Sequence, residues 1–593
     1  MLPQTPGRAD CDQIELESRP SKRKKHSSMR SIDWRGLARA FVFFWYFSAV
    51  THALLFFSGA TGFLPLRQGF VFSLLWLVPL LLFPHRARPV SAAIGVVLGL
   101  GALINLGYFS IYGQEFSQSV LFIVFESNPA EASEYIDQYL KWWMFPGLIA
   151  FCAGAYGLWR GIRPLAMAPA GRYLTIAVIL AGLFLQPTYK VLRKRGLDPA
   201  KYVEAIGNRM EPAVPWQFVI GYARYREQLA GMEALRKNTE RIPPIENLVD
   251  QRAGQPGTIV LLIGESTTRQ HMSLYGYGRP TTPKLEALRD QLTIFDQVYA
   301  ARPYTIEALQ QILTFADQQN PDLYLTRPSL MSIMKQAGYR TYWITNQQTL
   351  TKRNTMLTNF SEQMDEQVYL NHQRSQNSYS FDSNVLEPLQ NILKDGAERR
   401  FIVVHLLGTH MRYKYRFPPE FAVFRDGSGL PEWASGERAE MIDEYDNAVR
   451  YNDHVVSSVI GSLAAADKAS LLVYFSDHGE DVYDTPPHDF IGRNEAKPTP
   501  PMYTVPFFLW TSPQWRAATP VDLAAARSRP YQLSHFIHTW ADLTGLRFAG
   551  YEPDKSLINP AFREREILVG NPADQKSLLD LRQLLKPPAA TRP

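Results

Sequence analysis

The sequence predicts a two-part protein, in which five membrane-spanning helices precede an α/β domain built on a mainly parallel sheet. Five apolar segments lie before residue 190, and short apolar strands alternate with helices from Thr258 onward. The chemistry is limited by the only two cysteines, Cys11 and Cys152, which are far apart and precede the α/β region. That excludes a disulfide scaffold and a thiolate zinc cluster, so a metal in this region must bind oxygen and nitrogen ligands.

The composition is that of a folded chain with a large apolar share. Hydrophobic residues make up 46% and charged residues 20% of its 593 residues, which excludes a disordered protein. That length allows about three or four average domains. The net charge of +6 comes largely from basic residues near the N-terminus. We therefore expect no basic surface for nucleic acid in the α/β region.

The predicted anchor consists of five apolar segments, most of them close to the ~20 residues that a spanning helix requires. One such segment alone could be a buried helix of a soluble domain, but five in succession favour a membrane. The segments cover residues 36–59, 68–84, 90–112, 142–158 and 173–189.

Basic residues favour one orientation of this anchor. They concentrate before the first segment, after the second (Arg86 and Arg88) and between the fourth and fifth (Arg160, Arg163 and Arg172). Because short basic loops remain on the cytoplasmic side, the N-terminus is predicted to be cytoplasmic. An odd number of spans then places everything after Tyr189 on the opposite side, which in a bacterial inner membrane is the periplasm.

Changes in composition predict five regions. The region after the anchor combines a charged, helix-like stretch with proline and glycine breaks, which indicates a connector containing an amphipathic helix. The regions are a cytoplasmic basic tail (1–35), a transmembrane domain (36–189), a periplasmic connector (190–257), a periplasmic α/β domain (258–570) and a C-terminal tail (571–593).

Four short apolar runs in the α/β domain are predicted strands, because they are rich in β-branched and aromatic residues. They cover residues 258–264, 339–345, 401–407 and 470–476. Helix-like stretches at 304–316, 329–336 and 440–465 separate them. This alternation is typical of a mainly parallel sheet that is covered on both faces.

Carboxylates and imidazoles stand at the ends of these predicted strands. Glu265 follows the first strand, His405 and His410 belong to the third strand and its loop, and Asp477 with His478 follows the fourth. A single Asp–His pair after a strand is commonly only a hydrogen-bonded cap. Several such groups would converge at one edge of a parallel sheet, and together they predict a site for zinc or manganese.

The motifs around these residues resemble those of the bacterial phosphoethanolamine transferases, beginning with GESTTRQHMSLYGYGRPTTP at 264–283. The resemblance implies a membrane enzyme whose periplasmic domain has the alkaline-phosphatase/sulfatase fold. The sequences at 113–122, 209–218 and 302–316 are similar to those of family members that modify the lipopolysaccharide core rather than lipid A. The likeness to the family continues at 405–418, 444–456 and 474–488.

The resemblance implies that Thr305 is the nucleophile and also a zinc ligand, together with Glu265, Asp477 and His478. This assignment is chemically reasonable, because a divalent metal lowers the pKa of a hydroxyl and a helix N-terminus favours phosphoryl oxygens. Taken by itself, a threonine at the start of a helix is a common N-cap.

Three histidines match family positions that line the phosphoethanolamine pocket or hold a second metal: His405, His410 and His488. Neutral imidazoles would bind metal, whereas cationic ones would stabilise phosphate charge or protonate the leaving alkoxide. His271 is expected to be structural. Two pairs match headgroup contacts of relatives, although each fits a solvated helix face equally well. These pairs are Ser332 with Lys335 and Ser127 with Glu131.

The implied reaction has two steps. Thr305 attacks the phosphorus of phosphatidylethanolamine, displaces diacylglycerol and carries the group as a phosphothreonine ester. The acceptor, a heptose phosphate of the lipopolysaccharide core, then takes the group. Many relatives that modify lipid A bracket the nucleophile with cysteines, whereas Arg302, Pro303 and Tyr304 precede Thr305 here and no cysteine follows. That departure favours the core acceptor.

Four other functions are alternatives to this reaction. A lipid A phosphoethanolamine transferase has the same chemistry with another acceptor. A sulfatase-type hydrolase needs a cysteine or serine that becomes formylglycine, which Thr305 cannot supply. A phosphoglycerol transferase of the teichoic-acid type lacks the YGYGRPTTP text found at 275–283. A membrane sensor without catalysis would have no use for the nucleophile and metal positions.

Overall fold

The computed structural model describes residues 32–58, 61, 63–112, 142–185, 188–189, 199–211, 213–238, 242–347, 355–371, 379–519 and 523–585. Its N-terminal part is a bundle of helices: α1 (Trp34–Phe57), α2 (Phe63–Ser73), α3 (Leu77–Leu82), α4 (Ala87–Tyr112), α5 (Met144–Arg160) and α6 (Pro169–Leu180). Within this bundle, α1 packs against α2, α4 and α5.

Three helical stretches of the described chain are long and apolar enough to cross a membrane: Trp34–Phe57, Phe63–Leu82 and Pro84–Ile111. The fourth and fifth predicted segments are also helical, over Met144–Arg160 and Pro169–Leu185. They stand at the lower limit of spanning length, which is about 17 residues. The structure therefore supports three candidate spans, and the count of five stays a prediction.

The connector contains two helices, α7 (Pro199–Met210) and α8 (Trp216–Asn238). The α/β fold begins before the predicted start at residue 258, because Val249–Asp250 pairs antiparallel with Leu546–Arg547. It also continues past residue 570, because Leu568–Val569 pairs with Leu579–Asp580. Strands of two residues carry no hydrophobic periodicity, so the sequence pattern did not reveal either boundary pair.

The domain is organised around a sheet of seven strands: β1 (Gly257–Gly264), β2 (Leu292–Ile294), β3 (Arg340–Thr345), β4 (Glu366–Tyr369), β5 (Arg399–His405), β6 (Ser470–Ser476) and β7 (Phe507–Thr511). Their order across the sheet is β2-β7-β6-β1-β5-β3-β4. Only the contacts of β7 with its neighbours β6 and β2 are antiparallel, so the sheet is mainly parallel as predicted.

Helices cover both faces of the sheet. Ile259, Leu261 and Ile263 of β1 face one hydrophobic core, and Val260 and Leu262 face the other, because successive side chains of a strand alternate. The first core includes residues of α10 and α11, and the second includes residues of α13 and α14. The helices are α9 (Pro283–Ala287), α10 (Thr305–Ile312), α11 (Leu330–Gln336), α12 (Thr355–Glu362), α13 (Leu386–Leu393), α14 (Glu437–Ala465), α15 (Pro513–Ala518) and α16 (Phe536–Thr544).

The register of the central strands brings polar residues together at one edge. Gly264 at the end of β1 pairs with Ser476 at the end of β6, and Ile263 pairs with His405 at the end of β5. The residues that follow β1 and β6 are Glu265 and Asp477. They are therefore neighbours at the carboxyl edge of the sheet, where ligands bind in open α/β folds.

Candidate active site

Buried carboxylate and imidazole groups form a compact cluster at this edge. Glu265, His405 and Asp477 each offer an atom, and these atoms lie within 4.8 Å of one another. The Nε2 atom of His478 is 3.3 Å from Oε1 of Glu265 and 3.4 Å from Oδ2 of Asp477. All four side chains are fully buried. Such a set satisfies the chemistry of an O/N metal site.

Thr305 completes the cluster from the start of α10. Its Oγ1 donates a hydrogen bond to Oε2 of Glu265 at 2.9 Å and lies 3.3 Å from Nε2 of His478. Tyr304, the preceding residue, has an extended backbone and caps the helix. Thr305 is partly exposed while the other members are buried, so it is the member of the cluster that solvent reaches.

A buried ion pair fastens the loop that presents Thr305. The guanidinium of Arg302 forms a bidentate pair with Glu495, with NH2 donating to Oε2 at 3.0 Å. Such pairs are stronger and more directional than neutral hydrogen bonds. The sequence has no cysteine pair that could hold this loop. Glu495 lies 193 positions from Arg302 in the chain, and no local signal connects the two.

The loop after β1 has a strained backbone, and its hydrogen bonds fix the position of the Glu265 carboxylate. Ser266 has a positive φ of 57°, which is uncommon for a residue with a side chain. Its Oγ donates to Oε1 of Glu265 at 2.8 Å, and its N–H donates to Oδ1 of Asp477 at 3.3 Å. Ser266 thus links the two carboxylates through its own backbone and side chain.

Gly408 allows the loop after β5 to cross directly over Glu265. Its φ is +56°, and an added Cβ would lie 2.7 Å from the carbonyl oxygen of Glu265. The next residue, Thr409, donates from its N–H and its hydroxyl to that same oxygen. The peptide of Glu265 is therefore fixed from the neighbouring strand.

The electrostatics of the cluster favour a cation. Burial raises the pKa of Asp477 well above its usual value, and the charge of Glu265 raises it further. Burial also tends to raise the pKa of Glu265, but His478, His410 and Arg493 lower it well below the usual range. Two buried carboxylates in contact repel each other unless a proton or a metal lies between them.

Burial favours the neutral form of the imidazoles in the cluster. Burial lowers the pKa of His405 to about 4, and burial together with Arg493 lowers the pKa of His478. Within the described residues, both ring nitrogens of His405 and the Oδ2 atom of Asp477 make no hydrogen bond. Buried polar atoms without partners are rare. A metal ion would supply the missing partner, so these residues fit the predicted metal.

The other predicted residues differ in their relation to the cluster. His410 is half-buried, and its charge acts on Glu265. His488 stacks on Trp433 with ring centroids 3.9 Å apart, and no contact in the described chain joins it to the cluster. Lys335 pairs with Asp365 at 2.7 Å, and the N–H of Ser332 donates to the hydroxyl of Ser329. Ser127 and Glu131 lie outside the described residues.

Arg493 is a member of the site that the sequence analysis missed. Its NH1 lies 2.6 Å from Nε2 of His478 and 3.5 Å from Oε1 of Glu265. It follows a two-residue strand, Ile491–Gly492, that pairs with Asp481–Val482. Its only sequence signal was its place 15 positions after His478 in a loop without periodicity, which is too weak to single out a residue.

Known proteins resemble this chain in sequence and in fold. The Sulfatase family model matches residues 257–546. Phosphoethanolamine transferase CptA from Salmonella typhimurium strain LT2 is 49% identical over 93% of this chain and 96% of its own. The crystal structure of the C-terminal periplasmic domain of EptC from Escherichia coli in complex with Zn is 54% identical. It covers 58% of this chain and 97% of its own, with a TM-score of 0.57.

A solved structure also matches the anchor and the domain together. The integral membrane protein lipooligosaccharide phosphoethanolamine transferase A from Neisseria meningitidis covers 90% of this chain and 99% of its own, with a TM-score of 0.59. At 20% identity, this likeness concerns the fold alone.

Proposed function

The chain belongs to the family of phosphoethanolamine transferases, and from that premise we propose that it transfers phosphoethanolamine from phosphatidylethanolamine to lipopolysaccharide. The proposed acceptor is a phosphate on a heptose of the core. The observation that carries the reaction is the position of Thr305, whose hydroxyl contacts both Glu265 and His478 at the start of a helix. The identity of 49% with CptA over nearly the whole chain supports the core-modifying subgroup.

In the proposed first step, Thr305 attacks the phosphorus of the donor. The Oγ–P bond forms as the bond from phosphorus to the diacylglycerol oxygen breaks, and the threonine carries phosphoethanolamine as an ester. Glu265 accepts a hydrogen bond from the hydroxyl and is poised to take its proton. In the second step an acceptor phosphate oxygen displaces the threonine oxygen, which regains a proton.

We assign the zinc ligands to Glu265, Thr305, Asp477 and His478. A zinc ion bound there would lower the pKa of the threonine hydroxyl and withdraw charge from the phosphoryl group. The support is a set of buried donors that lack hydrogen bonds, together with the Zn complex of the related EptC domain. Neutral His405 is a candidate ligand for a second metal.

Half-buried His410 is the proposed proton donor to the leaving alkoxide. It lies close enough to Glu265 for its charge to lower the pKa of that carboxyl. A histidine changes its charge near neutral pH, which suits an acid that must recover its proton in each cycle. We retain His488 as a proposed residue of the phosphoethanolamine pocket. Its ring stacks on Trp433, so its contact with substrate is a proposal and not an observation.

We further propose that the protein spans the inner membrane five times, with its N-terminus in the cytoplasm and residues 258–570 in the periplasm. The three long apolar helices support membrane insertion. The related EptC domain is described as periplasmic, which agrees with the side predicted from the basic loops.

Mass spectrometry of lipopolysaccharide tests the acceptor. Cells with the gene should carry a phosphoethanolamine increment on the core, and cells with Thr305→Ala in its place should lack it. An increment on lipid A would make the lipid A alternative correct. Release of free phosphoethanolamine without an increment would identify a hydrolase instead.

A further inference from the structure

A buried tyrosine of α14 holds the loop after β1 that carries Glu265. The hydroxyl of Tyr445 donates to the carbonyl oxygen of Ser266 at 2.7 Å and accepts from the N–H of Thr268 at 2.9 Å. Among the residues that the structure describes, no other hydrogen bond reaches this carbonyl or this N–H. One hydroxyl therefore satisfies the buried backbone on either side of Thr267.

The backbone of Ser266 needs such a restraint. Its φ of 57° is uncommon for a residue with a side chain, and a residue keeps such a conformation only where its surroundings fix it. From this conformation the Oγ of Ser266 donates to Glu265, and its N–H donates to Asp477. A rotation of the Ser266 peptide would therefore disturb two of the proposed zinc ligands together.

The two oxygens of the Glu265 carboxylate have different partners. Oε1 accepts from Ser266 at 2.8 Å, and Oε2 accepts from Thr305 at 2.9 Å. Gln347 adds only a long contact of 3.4 Å to Oε2. The bond from Ser266 therefore helps to determine which oxygen faces the proposed nucleophile.

Tyr445 is itself firmly placed. Its side chain is fully buried, and its ring makes edge contacts with His271 and Tyr413 at centroid distances of 5.1 Å and 5.0 Å. Burial raises the pKa of the Tyr445 hydroxyl well above its usual value, so the hydroxyl keeps the proton that it donates to Ser266. The 29-residue helix α14 thereby supports the loop from outside the sheet.

We propose that Tyr445 is a positioning residue for Glu265, and that it acts through the Ser266 peptide. It sets the orientation in which the carboxylate meets a metal ion and the Thr305 hydroxyl. Partners that orient a metal ligand typically contribute roughly 10–100-fold to metal affinity or activity, which sets the size of the expected effect. The inference rests on the proposed function.

The test uses full-length protein in detergent and the variant Tyr445→Phe, which removes one oxygen and keeps the ring with its packing. Tyr531→Phe is the matched control, because Tyr531 is also fully buried and its hydroxyl accepts from Thr539 at 2.7 Å. Zinc affinity is measured by competition with a chromophoric chelator. Tyr445→Phe should bind zinc at least tenfold more weakly than the wild type. Affinity equal to that of the control overturns the proposal.

Amide hydrogen exchange of the metal-free proteins tests the restraint itself. Tyr445→Phe leaves the N–H of Thr268 without its acceptor, so this amide should exchange faster than in the wild type. Its exchange in Tyr531→Phe should match the wild type. Unchanged exchange in Tyr445→Phe would show that the hydroxyl does not hold the loop, and would overturn the proposal.

A double variant tests whether Tyr445 acts through Ser266. Ser266→Ala removes the Oγ that donates to Glu265 and should weaken zinc binding by itself. If both residues belong to one link, the combined variant should lose less affinity than the product of the two single losses. Losses that multiply would mean independent effects, as expected of a tyrosine that only stabilises the fold, and would overturn the proposal.

None of these measurements needs the lipid donor or the acceptor. A protein that fails to modify lipopolysaccharide but shows the expected shifts would contradict the proposed function and leave the role of Tyr445 standing. Normal modification of lipopolysaccharide by the wild type, with unchanged zinc affinity in Tyr445→Phe, would do the reverse.

Discussion

The Nδ1 atom of His478 lies 3.0 Å from the carbonyl oxygen of Gly479, and this contact selects Nε2 as the ring nitrogen available for a ligand. A metal-binding histidine commonly donates its other N–H to a carbonyl or carboxylate, which fixes both tautomer and ring orientation. Here the acceptor is the next peptide in the chain. The geometry therefore depends on the backbone at Gly479 rather than on another side chain.

Gly479→Ala should disrupt the site without removing any polar group. A Cβ at Gly479 would lie 2.0 Å from the carbonyl oxygen of Pro501, so the backbone around His478 must shift. We expect a loss of transfer activity of at least tenfold and a reduced zinc content. Gly461→Ala is the control, because nothing lies within 4 Å of an added Cβ there. Equal activity of the two variants would contradict the positioning role.

Asp477→Asn should lower metal affinity while preserving the volume of the side chain. The change removes a charged ligand and leaves an amide that binds metal weakly. Changes next to metal ligands already cost roughly 10–100-fold in affinity, so we expect roughly 100-fold or more here. Zinc content by elemental analysis is the measurement, with exposed Asp290→Asn as the control. Full zinc content in the variant would remove Asp477 from the site.

His271 should make stability depend on pH in the alkaline range. Its ring contacts Asp446 at 2.6 Å and Asp484 at 3.0 Å, and Asp446 also pairs with Arg279 and accepts from Tyr277. Burial lowers the pKa of His271, but the two carboxylates outweigh it and raise the pKa to about 10. A raised pKa stabilises the fold below the unfolded value of about 6.5, and that stability is lost as pH rises to about 10.

Thermal unfolding of the full chain at pH 6.5 and at pH 9.5 measures this contribution. The melting temperature of the wild type should fall more between the two values than that of His271→Gln, because the variant has no proton to lose. Each pKa unit corresponds to about 1.4 kcal/mol. His454→Gln should behave like the wild type, since burial lowers the pKa of His454. Parallel curves for wild type and His271→Gln would exclude a buried imidazolium.

Strand-end residues were the predictable part of the site. β1, β5 and β6 are long apolar runs, so their ends were visible in the sequence, and parallel register places Glu265 beside Asp477. The edge strands β2 and β4 were missed, as was β7 beside β2; β2 and β4 have only three and four residues, too few to show a periodicity.

Contacts between distant loops were the part that the sequence could not supply. Arg302 pairs with Glu495 across 193 positions, and Arg493 approaches His478 through the turn of a hairpin. No spacing rule encodes such contacts, because they depend on how the loop folds back. His488 lies in that same turn, and its stacking on Trp433 could not be predicted from its spacing to His478.

Reporter fusions decide between three and five spans. A periplasm-dependent reporter after Gly257 should be active, because either odd count exports that point. A fusion after Arg163 separates the two models: it should be inactive if the fourth segment crosses back to the cytoplasm, and active if only the three long helices span. Activity after Arg163 would make the five-span topology wrong.

The nucleophile is tested most directly by trapping the covalent ester. Purified protein incubated with phosphatidylethanolamine and no acceptor should gain the mass of phosphoethanolamine on the peptide that contains Thr305. Thr305→Ala should lose this adduct and essentially all transfer, because it removes the oxygen that donates to Glu265 and faces His478.

Thr305→Ser distinguishes a nucleophile from a residue that merely begins the helix. Serine and threonine are both accepted at the start of a helix, so a purely structural role predicts no change in transfer. A nucleophile without its methyl group has more rotamers to lose before attack. We expect transfer to fall about tenfold, which corresponds to about 1.4 kcal/mol of transition-state stabilisation, while the adduct still forms on the serine. An adduct at another residue, or transfer by Thr305→Ala, would contradict the two-step mechanism.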